Sequence, residues 1–152
     1  MKLTVAWIGK TKEPAIDSLT NEYLKRLSRY VVTEHKILSD ESALLNLSGH
    51  ANEKNARSQK KQTLILLDSR GRQFSSEELA KFIGDYQERN PLPLLFAVGP
   101  ANGFSDEARK SATMMLSLGN MTIAHELARV ILLEQLYRAF TILKGHPYHT
   151  GH

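Results

Sequence analysis

The residues of this chain that could do chemistry are concentrated between Val98 and His149. Two loops that contain glycine come first, a long apolar segment with charged and aromatic residues follows, and a histidine-rich tail comes last. In order, these stretches are Val98–Phe104, Leu116–Ile123, His125–Ala139 and His146–His149. A glycine has no side chain, so a ligand can approach the backbone closely there. The pattern predicts a small-molecule site built at strand ends beside a helix.

Apolar runs and helical periodicity predict the elements that must position these residues. The predicted strands are Leu3–Ile8, Val31–Leu38, Thr63–Leu67, Pro93–Val98 and a weaker one at Met115–Leu118. The predicted helices are Glu13–Arg29, a weaker one within Asp40–Lys60, one capped by Ser75 or Ser76, Asp106–Ala112 capped by Ser105, and Thr122 or Ala124 to Leu143. Strands that alternate with helices indicate an α/β fold, with a mostly parallel sheet and helices on both faces.

Three of the predicted strands end at a residue that is followed by a loop with glycine. These strand ends are Leu67-Asp68, Val98-Gly99 and Leu118-Gly119. In an open parallel sheet, ligands bind outside the carboxyl ends of the strands. The three loops are therefore expected to converge on one ligand.

The length and composition indicate an ordinary globular protein. The 152 residues predict one domain over residues 1–152, and 41% hydrophobic and 24% charged residues are typical of such a chain. Apolar runs stay below the roughly 20 residues of a membrane span, and the start of the chain indicates a strand and not a signal peptide. The absence of cysteine excludes disulfides and thiolate zinc sites. We expect a cytoplasmic protein without a membrane segment.

The net charge of +4 is compatible with a merely basic soluble protein and equally with one that has an anionic partner, for which nucleic acid is the leading candidate. The basic residues that support this interpretation flank the third predicted strand. They are Lys54, Arg57, Lys60 and Lys61 before it and Arg70 and Arg72 after it. A basic rim beside a ligand loop suits contacts with phosphates.

Two common cofactor motifs are absent. A dinucleotide fingerprint needs Gly-x-Gly-x-x-Gly directly after the first strand, which here ends in Gly9-Lys10-Thr11-Lys12. A phosphate-binding loop needs a further glycine five residues before Gly9, and none is present. Nicotinamide and ATP enzymes are therefore disfavoured.

The last predicted helix carries polar residues on two sides. At about 100° per residue, His125 and Arg129 share one side. The roughly opposite side carries Glu134, Tyr137 and Arg138. Apolar residues fill positions all round the helix, and a chain this short has little material to cover them. A homodimer through this helix is therefore expected.

Structural roles compete with functional ones on this helix. Glu134 and Arg138 lie four residues apart and can form an intrahelical ion pair, or Arg138 can be held to meet a phosphate or carboxylate. His125 is interpreted mainly as a structural group at the helix start.

Residues Ser117–Ala139 and the tail together closely resemble one family. The matching residues are Met121-Thr122, His125, Ala128-Arg129-Val130, Glu134-Gln135-Leu136-Tyr137-Arg138-Ala139 and Pro147-Tyr148-His149. The family comprises small bacterial methyltransferases that modify N3 of a pseudouridine in large-subunit (23S) ribosomal RNA, within the SPOUT superfamily. The resemblance runs essentially from end to end of the chain.

The resemblance implies a C-terminal trefoil knot, a homodimer across the knot helices and S-adenosyl-L-methionine (SAM) as cofactor. The cofactor contacts that it implies are Leu67, Gly99, Leu118, Gly119, Asn120, Met121, Thr122 and Ile123. It also implies that the basic surface binds ribosomal RNA and that Tyr148 and His149 lie near the methyl group.

Two positions depart from the family pattern. Gly99-Pro100 stands where the family usually has two glycines, so one backbone donor is lost and the loop is stiffer. Thr150-Gly151-His152 follows the tail, where the family often has a basic residue.

Methyl transfer to a ring nitrogen requires alignment and the removal of a proton. We expect His149, with Tyr148 or Tyr137, to handle the base edge, and Arg138 to hold phosphates. No metal is required. One alternative is a metal site made by His146, His149 and His152, although Pro147 and Gly151 interrupt any helix there.

Two further alternatives are not enzymes. The chain could be a non-catalytic ribosome-binding or RNA-binding protein on the same scaffold. It could also be a domain that binds bases by stacking, for which Tyr30, Tyr86 and Trp7 are the available aromatic residues; we interpret these three as isolated core or edge residues.

Overall fold

A computed structural model describes residues 1–49 and 61–151 of the chain. The strands are β1 (Lys2–Ile8), β2 (Val32–Leu38), β3 (Thr63–Gln73), β4 (Leu94–Val98) and β5 (Met114–Ser117). The helices are α1 (Pro14–Ser28), α2 (Glu41–Ser48), α3 (Ser76–Arg89), α4 (Asp106–Ser111) and α5 (His125–Lys144), followed by a short 3₁₀ turn at His149–Gly151.

The five strands form a sheet in the order β2-β1-β4-β3-β5, and every pair of neighbours is parallel. Strand β4 enters between β1 and β3, so its residues pair with both neighbours. The α/β fold with a parallel sheet is therefore confirmed. The trefoil knot that the resemblance implies stays a prediction.

Alternation of side chains along the strands explains why helices cover both faces of the sheet. On β1, Val5 and Trp7 pack into one buried cluster, with residues of α1, α3 and α5. Ala6 and Ile8 pack into the other, with residues of α2 and α4. Because successive residues of a strand point to opposite faces, a strand that is apolar at every position is covered on both sides.

The helix starts follow the capping rules that the sequence suggested. The Ser75 hydroxyl accepts a hydrogen bond from the Glu78 backbone, and the Glu78 side chain accepts one from the Ser75 backbone, which completes a capping box. Ser105 caps α4, and Pro14 occupies the first turn of α1.

Two predicted elements differ from the observed ones. Strand β3 does not end at Leu67 but continues to Gln73. The helix predicted within Asp40–Lys60 is confirmed only as α2, because Lys54, Arg57 and Lys60 lie outside the described residues. The other boundaries agree to within a residue or two, which is the uncertainty of helix and strand ends in general.

The extension of β3 contains an irregularity that shapes the ligand edge of the sheet. Leu67 and Arg72 both pair with Leu116 of β5, so the residues between them loop out of the ladder. Gly71 makes this possible, because a Cβ atom there would lie 2.5 Å from the backbone carbonyl of Met115. The absence of a side chain lets the returning strand press against β5.

None of the described helices is long and apolar enough to cross a membrane.

We expect Gly71→Ala to destabilise the protein by about 1–3 kcal/mol. The added methyl group would collide with the backbone of Met115, which is fixed within strand β5. Urea unfolding would measure the loss. Gly84→Ala is the matched control: its Cβ would meet the end of the flexible Leu143 side chain at 2.9 Å, in the middle of α3. Equal stability of the two variants would contradict the role assigned to Gly71.

Candidate active site

The carboxyl ends of β3, β4 and β5 enclose a cavity of about 310 Å³. Strands β4 and β5 contribute the loops that follow them, and β3 contributes the residues that loop out of the ladder. The start of α5 closes one side of the cavity. The lining consists of Leu67–Arg70, Val98–Phe104, Arg109, Leu118, Gly119, Met121–Ile123, His125 and Ala128. The three strand ends that glycine placement singled out thus converge on one space.

The structure places most of the predicted cofactor residues at this cavity. Leu67, Gly99, Leu118, Gly119, Met121, Thr122 and Ile123 line it. Asn120 is not among the lining residues: its side-chain oxygen accepts a hydrogen bond of 2.8 Å from the Gln73 amide. Asn120 therefore ties the loop after β5 to the end of β3. Contact of these residues with a cofactor stays a prediction.

Glycine conformation gives the cavity loops their shape. Gly119 has φ +134°, a value that residues with side chains rarely adopt, and a Cβ there would point into open space. A Cβ at Gly99 would lie 3.2 Å from the ring of Phe104, so the loop after β4 folds tightly over this phenylalanine. Pro100 is compatible with that loop, because its carbonyl accepts the hydrogen bond from Gly103 N–H at 2.9 Å.

A polar wall of the cavity was not anticipated from the sequence. Arg109 Nε donates to Asp68 Oδ2 at 2.9 Å, and the Arg70 backbone N–H donates to Asp68 Oδ1 at 2.9 Å. Burial alone would raise the pKa of the Asp68 carboxyl, but the hydrogen bonds from Arg70 and Arg109 outweigh it and leave the pKa lowered. The position of Asp68, directly after Leu67 at a predicted strand end, was the available signal.

The first turn of α5 is anchored to the loop that follows β1. Arg129 is buried, and its guanidinium donates to the Ile8 carbonyl at 3.0 Å and to the Thr11 hydroxyl at 2.9 Å. Glu126 accepts hydrogen bonds from two backbone N–H groups of the same loop, at Lys12 and Glu13. These contacts fix the helix start.

This anchoring decides where His125 lies. His125 is the first residue of α5 and lines the cavity, although the sequence favoured a structural role for it. Its position beside the ligand space makes it a further candidate for cofactor contact.

The predicted catalytic residues form a separate cluster near the end of α5. Arg138 pairs with Glu134 one helical turn earlier, as its spacing indicated, and its Nη1 lies 3.1 Å from Nδ1 of His149. The Tyr148 hydroxyl donates to Glu134 at 3.0 Å. Nε2 of His149 lies 2.7 Å from the carboxylate of Glu77 in α3. The sequence did not indicate Glu77, because it lies 72 residues from its partner.

Hydrogen bonds and burial set the ionisation of this cluster. The hydrogen bond and charge of Glu134 raise the pKa of Arg138 despite partial burial. Burial, followed by hydrogen bonds with Tyr23 and Glu134, raises the pKa of Tyr148 well above its usual range. At neutral pH Tyr148 is therefore a neutral hydroxyl that donates a hydrogen bond to the carboxylate of Glu134.

An aromatic group holds the tail against α1 and α5. The ring of Tyr137 lies 4.7 Å from that of Tyr148, 5.9 Å from that of Tyr30 and 6.1 Å from that of Tyr23. Tyr30 also contacts His146 through its hydroxyl and its ring. The expectation that Tyr30 is isolated was wrong, and Tyr137 acts here as the hub of the group.

The other two aromatic residues considered for stacking lie elsewhere. Trp7 is a core residue, 1% exposed, and its ring packs on His35 at 4.3 Å. Tyr86 is partly buried, and its hydroxyl is a hydrogen-bond donor within reach of the Thr63 hydroxyl and the Leu92 carbonyl. The described surface therefore offers neither residue as a stacking platform for bases.

The structure does not bring the catalytic cluster into the cavity of its own chain. Ala128 is the last α5 residue that lines the cavity, and Arg138 follows ten residues later, about 15 Å along the helix axis. A second cavity of about 200 Å³ lies between them; it shares Leu118 and Gly119 with the first and ends at Gln135. The two halves of the predicted site are thus neighbours along α5 without touching.

Among residues 1–49 and 61–151, no group of three or more histidine, aspartate or glutamate side chains could hold a metal ion. Two of the three histidines in the metal alternative have other partners: His146 contacts Tyr30, and His149 contacts Arg138 and Glu77. His152 lies outside the described residues.

A parallel sheet with a ligand cavity at its carboxyl edge, closed by a long C-terminal helix, defines a ligand-binding α/β protein. Residues 1–149 match the family model described as "Predicted SPOUT methyltransferase". The chain belongs to the SPOUT methyltransferase family.

Curated relatives extend over the whole chain. The chain is 56% identical over 152 residues to the ribosomal RNA large subunit methyltransferase H of Koribacter versatilis, with 100% of both chains covered. It is 40% identical to the protein of the same name from Geotalea daltonii, over 98% of this chain and 99% of that one.

Solved structures support the fold. A probable methylase family protein from Haemophilus influenzae is similar with a TM-score of 0.58 and 14% identity, over 96% of this chain and 69% of that one. A Legionella pneumophila methyltransferase solved with bound SAM has a TM-score of 0.51 and 15% identity, over 91% and 66%. At these identities the likeness concerns the fold alone.

The lowered pKa of Asp68 predicts an acid-sensitive contribution to stability. A carboxyl whose pKa is depressed by folding stabilises the protein above its ordinary pKa of 3.8, and this contribution is lost as the pH falls through the lower folded value. We therefore expect Asp68→Asn to flatten the fall of the free energy of unfolding below about pH 4. Chemical denaturation at several pH values would measure it.

Asp106→Asn is the matched control, because Asp106 pairs with the same Arg109 from a side chain that is 86% exposed. This variant should keep the acid dependence of the wild-type protein. The same acid dependence in wild type and Asp68→Asn would show that the cavity pair contributes nothing.

Proposed function

We propose that this protein is a SAM-dependent methyltransferase that modifies N3 of a pseudouridine in large-subunit ribosomal RNA. The observation that carries the proposal is the convergence of three strand ends on one glycine-rimmed cavity in a chain of the SPOUT methyltransferase family. The names of the full-length relatives supply the substrate class. A ribosomal substrate agrees with a cytoplasmic location.

The cavity fits the proposed cofactor in size and in chemistry. Its volume of about 310 Å³ falls at the lower end of the range for small-molecule sites, about 300–1,000 Å³. The backbone near Gly99 and Gly119 can approach an adenosine closely, and Arg70 offers a cation for a carboxylate. When bound, the cofactor supplies an activated methyl group on a sulfonium. The chain itself has to align the acceptor nitrogen and exclude water.

Basic side chains around the cavity support an RNA substrate. Arg70 is 60% exposed and stands beside Asp68 at the cavity rim. Arg72 lies over the ring of Phe74, with 4.4 Å from the guanidinium carbon to the ring centre. Arginine on an aromatic ring presents a flat cation to phosphates and bases. The other predicted basic residues, Lys54, Arg57 and Lys60, lie outside the described residues, and Lys61 is exposed.

The cluster at the end of α5 supplies the groups that would meet the substrate. His149 is the candidate acceptor of the N3 proton, and Arg138 is the candidate phosphate ligand. Tyr148 and Tyr137 would pack against the base. Glu134 holds Arg138 and Tyr148 at once, so the two side chains are oriented before any substrate arrives.

A homodimer through α5 would join the two halves of the site. Large apolar side chains are exposed at the start of the helix: Leu127 is 50% exposed, and Met121 just before the helix is 82% exposed. Burying this surface against a second copy is favourable. Since about 15 Å of helix separates the cavity from Arg138 within one chain, we propose that the tail of one protomer serves the cavity of its partner.

Cofactor titration separates an enzyme from a non-catalytic ribosome-binding protein. We expect the wild-type protein to bind SAM in a calorimeter, and Gly119→Leu to weaken binding at least about tenfold, because the side chain would project into the cavity space. Gly9→Leu is the control: Gly9 has φ +87° and equally open surroundings but does not line the cavity. No binding by the wild type, or equal losses in both variants, would contradict the cavity assignment.

Mixed dimers test the shared site. Gly119→Leu and His149→Ala should each abolish methyl transfer to ribosomal RNA. Co-expressed in equal amounts, they should recover about a quarter of the wild-type activity, because half of the dimers are mixed and each mixed dimer has one intact site of two. Differently tagged chains allow the mixed dimer to be purified and assayed. No recovery would mean that each tail serves its own cavity.

A further inference from the structure

The ring of His149 lies between one group that can only donate hydrogen bonds and one group that can only accept them. Nδ1 lies 3.1 Å from Nη1 of Arg138, and arginine can only donate. Nε2 lies 2.7 Å from Oε1 of Glu77, and an ionised carboxylate can only accept. The arrangement is consistent only with the neutral imidazole that carries its proton on Nε2. The lone pair of Nδ1 then accepts the hydrogen bond from Arg138.

We propose that Glu77 is a positioning residue for methyl transfer, which selects the His149 tautomer whose Nδ1 can take the proton from the substrate ring. The inference rests on the proposed function, in which His149 meets the base. It adds a residue of α3 that neither the sequence pattern nor the comparisons assign.

Glu77 belongs to a circuit that joins α3, α5 and the tail through hydrogen bonds and closes through the backbone between Ser76 and Glu77. Its helix begins with the capping box of Ser75 and Glu78. The next residue, Ser76, donates to the Gln135 side chain at 2.8 Å, and Gln135 donates to Glu134 at 2.8 Å. Through Glu134 and Arg138 the circuit returns to His149 and Glu77. The tail is thereby positioned from α3 and α5 together.

The charge state of Glu77 agrees with this role. A hydrogen bond from its own backbone, followed by the one from His149, lowers the pKa of Glu77, so the side chain is a carboxylate at neutral pH. A carboxylate beside Nε2 both orients the imidazole and stabilises the positive charge that the ring gains on protonation.

In the proposed step, the N3–H of the substrate gives its proton to Nδ1 of His149, and the electron pair left on N3 forms the bond to the methyl carbon. The carbon–sulfur bond breaks and its electron pair stays on sulfur, which becomes a neutral thioether. The imidazolium donates Nε2–H to Glu77. Arg138 has to turn away from Nδ1 first, and a phosphate of the RNA is the group that would draw it away.

Two variants of Glu77 separate orientation from charge. Glu77→Gln keeps an oxygen that accepts from Nε2–H but removes the charge, so we expect kcat to fall about tenfold or more with unchanged KM for the ribosomal substrate. Glu77→Ala removes both, so kcat should fall further. Glu88→Gln, in the last turn of the same helix, is the control and should leave kcat unchanged. Calorimetry should give the same cofactor affinity for all three.

The ¹⁵N spectrum of the histidine ring reports the tautomer independently of activity. The wild type and Glu77→Gln should show the Nε2–H form of His149. Glu77→Ala should show a mixture, because the ring loses its contact with α3 and can turn away from Arg138. A wild-type Nδ1–H form, or wild-type kcat in Glu77→Ala, would overturn the proposal. If the wild-type protein transfers no methyl group to ribosomal RNA, the proposed function fails, and the spectrum still decides whether Glu77 sets the tautomer.

Discussion

The common direction of β3, β4 and β5 is the constraint on which the rest of the structure depends. Because these strands are parallel and adjacent, their carboxyl ends share one edge of the sheet, and the three loops that follow meet there. Gly99 and Gly119 shape two of these loops, and the side chains of Asp68 and Arg109 form a polar wall of the cavity. Gly71 contributes to the same arrangement, because its lack of a side chain lets β3 loop outward beside the cavity and still pair with β5.

Helix α5 carries residues of the cavity at its start and the predicted catalytic cluster near its end. Its first turn is fixed to the loop after β1 through Arg129 and Glu126, and its last turns hold the tail through Glu134 and Arg138. Twenty residues of helix hold these two ends at a fixed separation. In the proposed dimer, a rigid spacer of this kind would let the two groups of residues act together across the interface while remaining apart within one chain.

The sequence predicted the fold well because its signals are local. Alternating apolar strands, the capping box at Ser75 and the glycines at strand ends all act over a few residues. The residues it missed depend on contacts between distant segments: Asp68 meets Arg109 across 41 residues, and Glu77 meets His149 across 72. No local pattern marks such pairs. The irregularity in β3 was missed for the same reason, since the backbone of Met115 decides it.

The cavity and the cluster at the end of α5 depend on different kinds of interaction, which in the proposed function separates ligand binding from chemistry. Glycine conformation shapes the cavity loops at Gly99 and Gly119, where the backbone can approach a ligand closely. Side chains form the cluster at the end of α5, where each hydrogen bond orients the next. A change in Glu134 would remove one hydrogen-bond partner from both Arg138 and Tyr148, at a residue that does not line the cavity. In the proposed function, ligand affinity and transfer rate are therefore separable, and α5 is one rigid link between the two groups of residues.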